Sequence, residues 1–78
     1  MLNAKERDDI WERVYLIDAR ADEIRAESND LQDQLTKAYL AGDGFKSYEI
    51  SIRLRYLAQE AKILAQEAHN IKSELGID

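Results

Sequence analysis

Cysteine and proline are both missing from this chain, and glycine occurs only three times in 78 residues. Without cysteine there are no disulfides, no thiolate metal sites and no cysteine nucleophile, which agrees with a reducing compartment. Without proline, no residue forces a helix to stop. No apolar run approaches the ~20 residues needed to span a bilayer. The opening "MLNAKERDDI" is charged and lacks the apolar segment of a secretory signal. The expectation is therefore a soluble, cytoplasmic chain that does not engage a membrane. The formal net charge of −5 disfavours general affinity for nucleic acid, whose phosphates call for a basic surface.

What remains is 45% hydrophobic and 35% charged, a composition of long helices or coiled coils. Ile10, Val14, Ile17, Ala21, Ile24, Ser28, Leu31, Leu35 and Ala38 follow one another by alternating steps of four and three. Ile50, Leu54, Leu57, Ala61, Leu64, Ala68, Ile71 and Leu75 do the same. Each series is a heptad seam with a left-handed supercoil implied, and nothing alternates as a strand would. Asn3 with Glu6 reads as a capping box, and Gly76 with Ile77 as a Schellman stop. In "YLAGDGFKSY", Gly42 suits the end of the first helix, and Asp43 or Ser47 suits the start of the second.

The expected fold is all-α: one domain over residues 1–78, a hairpin of two antiparallel helices, dimerising into a four-helix bundle. Helix one spans about 4–41, the turn 42–44, and helix two about 45–75. The expected layers join Val14 to Leu75, Ile17 to Ile71, Ala21 to Ala68, Ile24 to Leu64 and Ser28 to Ala61. Leu31 with Leu57, Leu35 with Leu54 and Ala38 with Ile50 complete them. That register sets Arg13 near Glu74, Arg20 near Glu67 and Asp18 near Lys72.

Chemistry finds little purchase on this pattern. "GDG" lacks the third glycine of a dinucleotide fingerprint, the "GK[ST]" of a phosphate loop and the ligand ladder of an EF-hand, so it reads as a bend. His69 is the single histidine. Gln66 stands where a Glu-x-x-His di-iron site needs glutamate, and His69 reads as a solvated surface residue. Ser28, Ser47, Ser51 and Ser73 have no base in heptad geometry. Glu27 and Glu60 face each other beside Ser28, either as solvated rim carboxylates or as a site for a cationic partner. No catalytic, metal-binding or cofactor-binding residues are expected, and the chain reads as a non-enzyme.

Apolar surface is left over. Ile52, Tyr56 and Ile63 lie on the outer face of helix two, bordered by Arg53 and Arg55. Trp11, Tyr15, Leu16, Ala19, Ala26 and Leu40 lie outside the seam of helix one. Such stripes point to a second copy or a protein partner, with Ile52, Tyr56, Ile63, Arg53, Arg55, Trp11 and Tyr15 as the partner-binding candidates. The small layers Ala21/Ala68 and Ser28/Ala61 between large ones resemble the core of the Rop-like RNA-binding hairpins, which dimerise into antiparallel four-helix bundles. The resemblance implies a basic helix-one face for paired RNA, whereas this helix carries ten acidic and six basic residues between Lys5 and Lys37. Three readings follow: an interaction protein, a nucleic-acid binder acting through Lys46, Arg53, Arg55 and Lys62, or an acidic inhibitor imitating nucleic acid.

Overall fold

The computed structural model describes residues 3–76, which form two helices: α1, Ala4–Leu40, and α2, Gly44–Leu75. They pack side by side as a hairpin with extents of 58 × 16 × 15 Å. The helices begin and end where local chemistry says they should. The Asn3 Oδ1 accepts the Glu6 backbone N–H at 2.8 Å, and its Nδ2 donates to Glu6 Oε1 at 3.0 Å. This reciprocal cap satisfies an amide that would otherwise lack a partner in the first turn.

The turn comprises residues 41–43, so α1 stops one residue earlier and α2 starts one residue earlier than expected. Gly42 takes φ of 71°, a left-handed value that costs an L side chain about 1–2 kcal/mol. Its N–H donates to the Tyr39 carbonyl at 3.1 Å while the Asp43 N–H donates to the Ala38 carbonyl at 2.9 Å. These are the two bonds of a Schellman motif. Asp43 then caps α2 by accepting the Lys46 N–H at 3.0 Å. Ser47, the other cap candidate, instead turns inward, and its hydroxyl donates to the Asp43 carbonyl at 2.9 Å. At the far end Gly76, also at φ 71°, stops α2, and its N–H reaches the Ser73 carbonyl at 3.1 Å. The contact expected of Ile77 lies outside the described residues.

Every residue of both heptad seams is buried or half-buried. Val14, Ile24, Ala38, Ile50, Leu57 and Ile71 are the best covered, with Leu57 only 1% exposed. Burying each valine, isoleucine or leucine among them stabilises by about 1.5–3 kcal/mol. Ile10, the expected first seam residue of helix one, is buried although no layer was assigned to it, and Ser47 is buried too, which extends the seam of helix two by one position.

The register differs from the expected one. Val14 and Ile10 cluster with Ile71, and Ile17 and Leu75 pack against them. Ala38 shares a hollow at the turn with Ser47, and Ala21 shares one with Ala61. These groupings slide α2 along α1 by about one helical turn relative to the expected layers. The reason is chain direction. Antiparallel helices meet with the first seam position of a heptad against the fourth, whereas the expected layers set like positions together. The observed arrangement places small side chains among large ones, with Ser28 and Ala61 beside Leu57, so the layers interdigitate.

Candidate interaction surfaces

Write each heptad as abcdefg with Val14, Ala21, Leu54 and Ala61 at a. Position g of both helices then borders one long side of the hairpin, and position e borders the other. The two sides are built differently.

On the g side, Arg20 reaches across to Glu60 through two parallel bonds, Nε to Oε2 at 2.6 Å and Nη2 to Oε1 at 2.9 Å. Its third contact, Nη1 to Glu23 Oε2 at 3.1 Å, anchors the guanidinium to its own helix. One heptad nearer the turn, Arg53 Nη2 donates to both oxygens of Glu27 at 3.0 and 3.2 Å. The forked bond from Arg20 holds the Glu60 carboxyl below its ordinary range, against the smaller opposing effect of desolvation. The same bonds, first to Glu60 and then to Glu23, push the Arg20 guanidinium further toward its charged form.

These contacts correct three expectations. Arg20 pairs with Glu60, not Glu67. Glu27 and Glu60 do not share a vacant cationic site, because each already holds an arginine of the opposite helix. Arg53, expected to border the outer stripe of helix two, instead reaches across to Glu27 of α1. The shifted register accounts for all three.

No cross-helix ion pair closes the e side among the described residues. There Ala21, Ile24, Ser28, Leu54, Leu57 and Ala61 floor an open hollow of about 570 Å³, with Arg25, Gln32 and Ala58 at its margin. Small side chains at this edge leave Leu54 only half-buried, while Leu57 lies deeper and is covered.

A third surface runs along the outside of α2. Tyr48, Ile52, Arg55, Tyr56 and Gln59 form a shallow hollow of about 340 Å³. Tyr56 and Ile63 are exposed as expected, at 65% and 60%, while Ile52 is half-buried. Phe45 and Tyr48, at 74% and 67%, extend the stripe to the turn, where Tyr39 and Leu40 of α1 are exposed as well. Sequence reasoning missed Phe45, Tyr48 and Tyr39. Their signal is present as a spacing: Phe45, Tyr48, Ile52, Tyr56 and Ile63 follow the 3.6-residue period of a straight helix face rather than the 3.5 of the seam. Trp11 and Tyr15 are exposed too, but at the opposite end of the hairpin. The partner-binding candidates therefore fall on separate surfaces.

Among the described residues no group of three or more His, Cys, Asp or Glu side chains is placed to hold a metal ion. The Ser47 and Ser51 hydroxyls each donate to a carbonyl four residues back. No described helix is long and apolar enough to cross a membrane. Comparison of the chain with family models, curated proteins and solved structures returns no match, and the small-with-small layers that carried the Rop-like resemblance are not the layers of the observed register.

Proposed function

We propose that this chain is a non-enzymatic interaction protein, an adaptor or regulator that self-associates and docks a protein partner through apolar helix faces. The observation that carries the reading is the amount of large apolar surface left outside the seam. Nine large hydrophobic side chains are exposed among the described residues, against seven apolar side chains buried. Scattered exposed hydrophobes are ordinary, but a stripe in helical phase along one face of α2 is the form in which helices present docking anchors.

The test is Tyr56→Glu, which sets a charge in the middle of that stripe. Lysate capture by the wild type that is lost in the variant, with the mass in solution unchanged, supports partner docking on α2. If the oligomer itself collapses, the stripe belongs to self-assembly and the partner reading fails. Nucleic acid in place of protein in the captured fraction, released steeply between low and moderate salt, favours the nucleic-acid reading instead.

A further inference from the structure

The e side of the hairpin differs from the rest of the surface in how its charges are divided. Along α1 its margin carries Asp8, Asp18 and Asp22, all exposed, with Arg25 as the one base. Arg25 is 3.7 Å from Asp22 on its own helix. Along α2 the corresponding e and b positions carry Arg55, Lys62, His69 and Lys72, all exposed, and no acid. Between the two margins lies the apolar hollow floored by Leu54, Leu57 and Ala61. One edge of the groove is thus predominantly acidic, the other basic, and the middle apolar.

Building on the self-association proposed above, we infer that the e side is the seat of a second copy of this chain, which lies with its turn at the same end. A face of 58 by 16 Å offers the ~800 Å² per partner that stable pairs bury. Charge decides the orientation. With both turns at one end, a two-fold axis along the hairpin lays α1 of each copy over α2 of the other. Acidic margin then meets basic margin twice, and Asp22 lies level with Lys62 of the partner subunit. With the turns at opposite ends, α1 lies over α1 and α2 over α2, so acid meets acid and base meets base. Like-charge juxtaposition of that kind selects against the arrangement. The g side offers no comparable seat, because its arginines and glutamates are already spent on one another.

A single label tests the orientation. The chain has no cysteine, so Lys46→Cys gives a unique nitroxide position beside the turn. Lys46 is exposed, and its capping bond to Asp43 uses the backbone N–H, which the substitution keeps. Light scattering on the same labelled sample reports the mass. A dimer whose two labels lie within roughly two to three helix diameters (about 20–35 Å) is the expected result. A dimer with labels near the 58 Å length of the hairpin overturns the orientation while self-association stands. A monomer overturns both. The face is read separately by charge exchange. Asp22→Lys and Lys62→Asp should each weaken the dimer about 2- to 5-fold, and the double variant should regain the loss. Dimer strength untouched by either single change, or no recovery in the double, removes the e side as the seat.

Discussion

The two long sides of this hairpin share a seam, a register and a pair of helices, yet they end in opposite conditions. On the g side, long charged residues reach across the seam and pair, Arg20 with Glu60 and Arg53 with Glu27. On the e side, Ala58 stands beside Ala61, and Leu54 and Leu57 line an open hollow. The difference lies in side-chain length at one heptad position. An arginine is long enough to run along the seam while its head pairs, whereas alanine at e leaves Leu54 half-buried beside the hollow. The residues at g thus close one side of the hairpin, and those at e leave the other open, around the same core.

The largest expected effect comes from the seam that both sides share. Leu57→Ala, at the best-buried position, should destabilise the fold by about 2–5 kcal/mol in urea or thermal unfolding. A loss below ~1 kcal/mol would mean that the seam is not packed around Leu57. A comparable loss of association, without loss of helix content, is expected from Ala58→Glu on the e side. It should weaken the dimer at least about tenfold, or ~1.4 kcal/mol. Gln59→Glu, one residue along on the outer face, should leave the dimer nearly unchanged. Equal effects from the two would erase the distinction between the faces.

Smaller effects come from the ends. Asp43→Ala removes the side chain that accepts the Lys46 N–H and should cost about 0.5–2 kcal/mol, seen as a lowered unfolding midpoint. Gly42→Ala should cost about 1–2 kcal/mol through the left-handed φ alone, since a methyl there would meet nothing within 4 Å. An unchanged midpoint for either variant would mean that the turn does not set the hairpin.

The hairpin was legible because a seam of alternating four and three can be counted, and because glycine and asparagine announce helix ends. Caps, turn and core membership follow from short-range rules. The register was harder to read. It depends on how side chains of two helices interleave, and several sets of opposite charges satisfy a one-dimensional reading. Arg20 has glutamates at 60 and 67, both at g, and only the packing selects Glu60. The outer stripe was half legible for a similar reason. Searching in heptads found Ile52, Tyr56 and Ile63, but Phe45 and Tyr48 fall into line only at the period of an unsupercoiled helix face.

The smallest expected effect is on the closed side, and its sign follows from Glu60. Because its carboxyl is held below the ordinary value of 4.5, its contribution is fully present above that pH. It is lost as pH falls from there through the folded-state value. Glu60→Gln should therefore lower stability slightly at neutral pH and flatten the acid side of the stability curve. Salt should shrink the difference between variant and wild type, as expected of an exposed pair. A gap that persists unchanged once the wild-type carboxyl is protonated would assign the effect to packing.

The most direct test of the account is the molar mass of the unmodified chain by sedimentation equilibrium across micromolar concentrations. An open, charge-divided side predicts twice the 9.0 kDa of one chain, dissociating on dilution and weakening with added salt. A mass of one chain throughout that range, with helix content intact, would contradict it.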